Sequence, residues 1–236
     1  YDKCIGGKTG TTDEAGRYAD TYTVSDPWGN PLVVLPPEAS RLLGSSGSLT
    51  LGASAVADLI DKYAYVYRYD TRLRLRSKKL PGCEPVMYAY DRENRLIFTR
   101  DGNQAQSGRR SFLLYDRLGR VALTGTCRDA LSDDFWTTDD ADLAATSFDS
   151  SDATSDLQLL SAADQQNYAE AQLLTATYYD DYNFLTDAQQ SRLAAMRPAG
   201  ALTVPKGLPT GALTAVFSPA DTIAPMLTVS YYDAEE

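Results

Sequence analysis

The nine residues "YRYDTRLRL", Tyr67–Leu75, recur as "YAYDRENRL", Tyr88–Leu96, and as "LLYDRLGRV", Leu113–Val121. In each copy a Tyr-Asp pair is followed, four and five positions after the Asp, by an arginine and an aliphatic residue. The aspartates are separated by 21 and then by 25 residues. Self-similarity at such a period indicates a repeat architecture in which each copy is one supersecondary unit.

The spacing predicts that each copy is a β-hairpin. In "KYAYVYRY", residues 62–69, every second residue is a tyrosine, which is typical of a strand. The Asp opens a tight turn because its carboxylate accepts hydrogen bonds from backbone N–H groups ahead of it. The residue three positions later needs a left-handed backbone, which suits Gly119 and Asn94 but not Leu73. The arginine then begins the returning strand, and "PGCEP", residues 81–85, turns the chain into the next copy.

The residues that carry the repeat are predicted to be structural, and none is assigned to catalysis, a cofactor or a metal. In the three clear copies they are Tyr67, Tyr69, Asp70, Arg74, Tyr88, Tyr90, Asp91, Asn94, Arg95, Tyr115, Asp116, Gly119 and Arg120. Looser copies add Tyr179, Asp180, Asn183, Tyr232 and Asp233, and a copy without the tyrosine keeps Asp26, Gly29 and Asn30. One hairpin is marginal alone, so the copies are expected to pair into an antiparallel sheet in a mainly β chain.

At these residues the chain resembles the YD-repeat family, which includes the RHS and teneurin-like proteins. The family motif runs roughly Tyr-x-Tyr-Asp-x-x-Gly-Arg-Leu, and "YDRLGRVALTG", residues 115–125, is similar to it as it is used in large bacterial surface proteins. The likeness is clear over about residues 62–126 and looser at 20–40, 175–186 and 228–234.

The resemblance implies a non-catalytic scaffold in a large secreted or cell-surface protein associated with the outer membrane. Its partners would be the rest of the parent polypeptide, namely adjacent repeats and a C-terminal toxin or adhesive tip that such scaffolds enclose or present. We therefore expect the chain to be a fragment of that scaffold. The segment "TVSYYDAEE", residues 228–236, is then expected to be half of a hairpin with an open edge that pairs with a neighbour.

Composition excludes several classes of enzyme. The 236 residues contain no histidine, which rules out Ser-His-Asp and Cys-His nucleophilic sites and any His-ligated zinc. The cysteines, Cys4, Cys83 and Cys127, are odd in number and unpatterned, so they are expected to be small buried hydrophobic residues rather than a disulfide framework or a zinc site. No apolar run approaches the roughly 20 residues of a membrane span.

The charge is divided unevenly along the chain. The net charge is −10, yet residues 62–128 contain 15 basic side chains against six acidic ones. These arginines recur beside tyrosines at strand spacing, which predicts a solvated sheet face. Because an acidic protein repels phosphate at long range, no nucleic-acid partner is expected.

An acidic segment interrupts the repeat between Asp129 and Leu160. It is rich in Asp, Ser and Thr, and no Lys or Arg occurs from Asp129 to Ser191. This composition predicts a solvated loop that the fold does not need. The alternative is a calcium site, since clustered carboxylates suit hard cations.

The sequence divides into four predicted segments with short helices around the sheet. The segments are 1–61, a degenerate repeat and helical lead-in; 62–128, the core hairpins; 129–174, the acidic insertion with a short helix; and 175–236, further degenerate repeats with one helix. The predicted helices cover 37–43, 53–63, 161–174 and 186–196, and Ser161 and Thr186 are the expected N-caps of the last two.

A second function is a surface module of the same fold that binds carbohydrate or protein. Tryptophan and tyrosine on an exposed sheet can stack on sugars, and Trp28 and Trp136 are the candidates. The competing interpretation is that these rings are buried or packed against turns.

Overall fold

The computed structural model describes residues 5–12, 18–46, 54–138, 142–143, 167–217 and 223–233. The strands in these ranges are β1 (Ile5–Thr12), β2 (Tyr18–Ser25), β3 (Pro31–Leu35), β4 (Tyr65–Tyr69), β5 (Leu75–Lys79), β6 (Val86–Asp91), β7 (Leu96–Arg100), β8 (Arg109–Tyr115), β9 (Val121–Arg128), β10 (Asp142–Leu143), β11 (Gln172–Tyr179), β12 (Pro209–Phe217) and β13 (Ile223–Val229). The helices are α1 (Pro37–Ser46), α2 (Ser54–Tyr63), α3 (Gly102–Ser107), α4 (Asp133–Thr137) and α5 (Asp187–Ala194). The prediction of a mainly β chain of antiparallel hairpins with short helices is confirmed. None of the described helices has both the length and the apolar character needed to cross a membrane.

The chain forms two compact units. The first comprises Tyr1–Ala89, Thr99–Ser107 and Leu131–Ala141, and the second comprises Tyr90–Phe98, Gly108–Ala130 and Asp142–Glu236. The division into four sequence segments stays a prediction.

The sheet of the first unit is a meander. Strands β1 to β5 and the start of β6 pair antiparallel in chain order. Helices α1 and α2 connect β3 to β4, and they bury a small cluster made of Leu35, Ala39 and Ala64. Both helices were predicted, and α1 begins at Pro37 because proline is preorganised for the first helical position.

The sheet of the second unit contains β8, β9, β11, β12 and β13, paired antiparallel in that order. Along β8 every second residue is buried, namely Arg110, Phe112 and Leu114. Phe112 packs edge-on against the Tyr168 ring with a centroid distance of 5.2 Å. Gly125 on β9 allows this packing, because a Cβ there would collide with the Phe112 ring and with a backbone carbonyl of β11.

Two predicted elements have different bounds. The strand predicted over 62–69 begins only at Tyr65, because Tyr63 is the last residue of α2 and the Ala64 N–H still donates to a helical carbonyl. The tyrosine strand predicted from 228 onward ends at Val229. After it, the Tyr232 carbonyl accepts the N–H of Leu202 instead of a ladder bond.

The helix predicted over 161–174 ends earlier than predicted: Asn167 is helical, residues 168–170 form a turn and a strand follows from Gln172. Residues 161–166, with the proposed cap Ser161, lie outside the described residues. Strand β11 begins at Gln172 and pairs with Thr126 of β9, so tertiary pairing overrides the local helical pattern. The other predicted cap is confirmed, since Thr186 and Gln189 form a capping box at the start of α5.

Part of the acidic segment belongs to the packed interior of the first unit, which corrects the prediction of a solvated loop. Trp136 on α4 is only 1% exposed. The Arg76 guanidinium donates to two backbone carbonyls of the segment 131–138 at 2.9 Å each. Arg100 lies over the Trp136 ring at 4.8 Å. Residues 139–141 and 144–160, where the calcium alternative also applies, lie outside the described residues.

Candidate functional site

Four turns share one hydrogen-bond pattern centred on an aspartate. We call them the aspartate turns: Asp26–Asn30, Asp70–Arg74, Asp91–Arg95 and Asp116–Arg120. In each, the Asp N–H donates to the carbonyl of the fifth residue at 2.8–3.0 Å, and the fourth residue's N–H donates to the Asp carbonyl at 3.0–3.1 Å. Three-residue hairpin loops with a bulge have this geometry. The looser copy at Asp26 is therefore confirmed as a member although it lacks the tyrosine.

The fourth residue of every aspartate turn has a left-handed backbone. Its φ is 91° at Gly29, 61° at Leu73, 64° at Asn94 and 77° at Gly119. The prediction that Leu73 occupies a position suited to Gly or Asn is confirmed. A leucine there is strained, because its Cβ lies too close to the following carbonyl oxygen.

Each aspartate carboxylate is saturated with hydrogen bonds. One oxygen accepts the N–H groups of the third and fifth residues, as at Asp91, where both distances are 2.9 Å. The other oxygen accepts the arginine Nε of the fifth residue at 2.6–2.7 Å. In the first turn, Asn30 replaces the arginine and donates Nδ2 to Asp26 at 2.8 Å. Because the carboxylates of Asp70 and Asp91 are wholly buried, this pairing offsets the cost of desolvating them.

Replacing Leu73 by glycine is expected to raise the free energy of unfolding by on the order of 1 kcal/mol, through relief of the left-handed strain. Little burial is lost, since Leu73 is 41% exposed. Urea unfolding measures the difference. The matched control is Leu118→Gly. Leu118 is also an exposed leucine in a turn, but its φ is not positive, so this substitution is not expected to raise the free energy of unfolding. A lower stability of Leu73→Gly than of the parent chain would contradict the prediction.

One contact recurs between successive hairpins: a tyrosine hydroxyl donates to a backbone carbonyl of the preceding hairpin. We call this series of contacts the tyrosine ladder. The Tyr115 hydroxyl donates to the Leu96 carbonyl at 2.7 Å, and Arg95 lies over the Tyr115 ring at 5.0 Å. The Tyr179 hydroxyl donates to the Val121 carbonyl at 2.9 Å, and Arg120 lies over the Tyr179 ring at 4.1 Å. Burial raises the pKa of both phenols.

The ladder continues to Tyr232, whose hydroxyl donates to the Pro209 carbonyl at 2.7 Å. Each acceptor is the first residue of a returning strand, just after the fifth residue of its turn. The predicted residues Tyr115, Tyr179 and Tyr232 therefore have one common role. Asp233, in contrast, lies in an irregular segment after β13 rather than in a described turn.

Asp180 does not form the short turn that its spacing predicted. Asn183 lacks a positive φ, and Asp180 itself has φ 72°. The Asp180 N–H donates to the carbonyl of Leu208, and its carboxylate accepts the N–H of Gly207, whose φ is 83°. Leu208 therefore accepts the bond of the fifth position, and Gly207 has the left-handed backbone of the fourth, although its N–H donates to the carboxylate and not to the Asp180 carbonyl. Residues 181–206 separate both from the aspartate.

The register confirms this equivalence. Tyr179 pairs with Pro209 after a bulge, just as Tyr115 pairs with Val121 after a bulge. The β11–β12 hairpin is therefore a repeat unit whose turn is expanded. We call residues 181–206 the inserted segment.

Arg120 joins the aspartates of two hairpins. Its Nε donates to Asp116 at 2.7 Å and its Nη2 donates to Asp180 at 2.6 Å. Hydrogen bonding to Arg120 lowers the pKa of Asp180 and, in return, raises the pKa of Arg120. A lowered carboxyl pKa contributes stability at neutral pH that is lost as the pH falls through the folded-state pKa.

The prediction that the arginines cover a solvated sheet face is wrong for several of them. Arg76 is 2% exposed and Arg110 is fully buried. Arg110 lies over the Phe98 ring at 3.8 Å and pairs with Asp129 at 3.2 Å. Guanidinium groups can be buried in this way because they stack on aromatic faces while their edges remain hydrogen-bonded.

The remaining candidate residues lie on β4, on β6, in the first aspartate turn and on α4. Tyr67 and Tyr69 are half-buried on β4, and Tyr88 and Tyr90 are half-buried on β6. Trp28 is 70% exposed in the first aspartate turn, whereas Trp136 is buried and cannot stack on a sugar.

The described cysteines differ. Cys127 is buried as predicted, and burial raises the pKa of its thiol. Cys83 is exposed, which corrects the prediction, and Cys4 lies outside the described residues. Among the described side chains, no three His, Cys, Asp or Glu groups cluster as a metal site requires.

Comparison with known proteins finds a likeness among solved structures. No family model matches the sequence, and no curated protein matches it. Among solved structures, the pore of the Photorhabdus luminescens Tc holotoxin with a mutation in TccC3 is similar over 95% of this chain and 11% of that chain, at 13% identity and a TM-score of 0.36. At this TM-score and identity, the likeness assigns no function to the chain.

Proposed function

We propose that this chain is a non-catalytic scaffold segment, of YD-repeat type, from a large secreted or cell-surface protein. The tyrosine ladder carries the proposal. The same hydroxyl-to-carbonyl bond recurs from Tyr115, Tyr179 and Tyr232 to the start of the preceding returning strand.

The ladder makes one hairpin complementary to the next. On one side a hairpin presents a tyrosine, and on the other side it presents a strand-initial carbonyl, beside an arginine in the turns of Arg95 and Arg120. Units with such head-to-tail complementarity stack on their neighbours and build a continuous wall, as in other repeat proteins. A wall of this kind is suited to enclosing or presenting another part of the parent polypeptide.

The hydrogen bonds and ion pairs of the aspartate turns argue against a catalytic role for the repeat residues. The carboxylates of Asp70, Asp91 and Asp116 are saturated, and their arginines are occupied by ion pairs. A general acid or base needs a titratable group within reach of a substrate. These side chains instead hold the backbone of each turn.

Replacing Tyr179 by phenylalanine tests the ladder. The variant loses the hydroxyl and leaves the Val121 carbonyl without that donor, which is expected to lower the free energy of unfolding by about 1–2 kcal/mol. Amide hydrogen exchange is expected to increase on both sides of the lost bond, in β9 and in β11.

The control is Tyr65→Phe on β4. Tyr65 is half-buried and is not part of the tyrosine ladder. The Tyr65→Phe substitution is expected to change neither the free energy of unfolding nor the amide hydrogen exchange. Equal effects of the two variants would mean that the ladder bond contributes nothing.

The proposed location is tested on intact cells of the source organism. An antibody against this segment is expected to label cells, or the medium, without lysis. Labelling that requires lysis would contradict the secreted or surface location. The scaffold proposal is tested separately, by the variants of the tyrosine ladder.

A further inference from the structure

The first unit contains a cleft over strands β4, β5 and β6. The cleft has a volume of about 720 Å³, which is within the range of small-molecule sites, and all of its lining residues belong to the first unit. Its floor includes Val66 on β4, Ser77 on β5 and Met87 on β6. Ser77 pairs with Met87 and with Arg68, two residues from Val66, so these side chains lie on one face of the sheet.

Two short helices form the walls of the cleft, and both are held without a ligand. At the start of α3, the Gln104 N–H donates to the Asp101 carboxylate at 2.8 Å, and the Asp101 N–H donates to Gln104 Oε1 at 3.1 Å. On the side of α4, Arg100 pairs with Asp133 at 3.1 Å. Such anchoring preorganises the walls and reduces the entropy lost when a ligand binds.

The cleft has one carboxylate that the protein does not engage. Glu84 is exposed in the lining, and its carboxylate has no hydrogen bond or ion pair with the residues that the structure describes. The stem of this side chain is nevertheless fixed, since Cβ and Cγ lie so close to Gly102 that a Cβ added there would collide with them. Glu84 is therefore held in place while its charge remains available to a ligand.

The charges around the cleft leave an excess of one carboxylate. Lys79 donates to the Asp61 carboxylate at 3.0 Å and to the Asp61 carbonyl at 2.6 Å, so Asp61 holds this lysine from outside the lining. The cationic side chains of the lining are Arg68, Lys79 and Arg100, and the carboxylates around them are Asp61, Glu84, Asp101 and Asp133. This balance favours a cation over an anion.

The rest of the lining offers apolar surface. Val66, Pro85, Met87 and Ala105 can cover the apolar body of a ligand, and the flexible thioether of Met87 adapts to its shape. A ligand without a charge would desolvate Glu84 without compensation. A small hydrated cation would gain nothing from the apolar floor. A ligand that combines an apolar body with one positive charge satisfies both surfaces.

We propose that this cleft binds an apolar ligand that bears one protonated amine. The amine belongs either to a small free molecule or to a lysine side chain flanked by apolar residues in a peptide. The proposal is independent of the scaffold function, because no residue of the aspartate turns or of the tyrosine ladder lines the cleft.

The first experiment titrates the full chain with two pairs of probes and follows amide shifts by NMR. Phenethylamine and phenylacetate share a ring and differ in charge, and so do acetyl-Leu-Lys-Leu-amide and acetyl-Leu-Gln-Leu-amide in their central side chain. At least one amine probe is expected to bind in the millimolar range, with shifts at Glu84, Met87 and Ala105. Its partner without the amine is expected to bind at least about tenfold more weakly. Binding of phenethylamine supports a small free ligand, and binding of the lysine peptide alone supports a peptide.

Glu84→Gln tests the carboxylate. Glutamine keeps the Cβ and Cγ that pack on Gly102 and removes only the charge, so it is expected to weaken binding of the amine probe at least about tenfold. The matched control is Glu93→Gln, which removes a carboxylate that is 60% exposed and lies outside the lining. This control is expected to leave binding unchanged.

Ala105→Phe tests the location. Ala105 and Asn103 are both exposed on α3, but only Ala105 lines the cleft. A phenylalanine at 105 is expected to weaken binding at least about tenfold, and Asn103→Phe is expected to leave it unchanged. If Ala105→Phe does not fold, Glu84→Gln alone decides. The proposal is overturned if neither amine probe binds, if the probes without the amine bind as tightly, or if Glu84→Gln or a folded Ala105→Phe binds as well as the parent chain.

Discussion

Replacing Asp91 by alanine is expected to lower the free energy of unfolding by about 3–5 kcal/mol, the cost of removing one partner from a buried ion pair. The Asp91 carboxylate is fully buried and accepts Arg95 Nε at 2.7 Å. It also accepts two backbone N–H groups, of which one belongs to Glu93 and one to Arg95. Alanine would leave the guanidinium and both N–H groups without this acceptor. Urea unfolding followed by circular dichroism measures the loss.

Glu93→Ala is the matched control for Asp91→Ala. Glu93 pairs with the same arginine at 3.1 Å, but its side chain is 60% exposed. Exposed ion pairs contribute little, so a change within about 0.5 kcal/mol is expected. If the two variants lose similar amounts, the aspartate turn is not held by its carboxylate.

Replacing Trp136 by alanine is expected to lower the free energy of unfolding by about 3–5 kcal/mol, as for other buried large aromatic side chains. The ring is 1% exposed and lies under Arg100. Its loss would leave a cavity beneath α4 and remove the contact that holds this part of the acidic segment against the first unit. Thermal unfolding followed by circular dichroism measures the effect.

Trp28→Ala makes the same substitution at a side chain that is 70% exposed, and a change within about 0.5 kcal/mol is expected. A small effect of Trp136→Ala would restore the prediction that the whole acidic segment is dispensable. Deleting residues 144–160 while keeping 131–143 then tests that prediction for the remainder of the segment.

The interactions that are local to each copy could be predicted from the amino-acid sequence. The carboxylate of Asp70 bonds to groups two and four residues ahead, and the left-handed position of Leu73 is three residues ahead. Because interactions within five residues occur at a fixed spacing, a repeated sequence motif predicts them. The N-cap at Thr186 could be predicted for the same reason.

Contacts between residues far apart in the chain depend on tertiary pairing and could not be predicted from local patterns. Spacing alone assigned Asn183 to the turn of Asp180, but Gly207 takes that position because strand pairing brings it there. The sequence pattern predicted that the arginines of β5 and β8 face solvent, but Arg76 and Arg110 are buried. Their acceptors are carbonyls of segments 57 to 62 residues away, which local pattern cannot reveal.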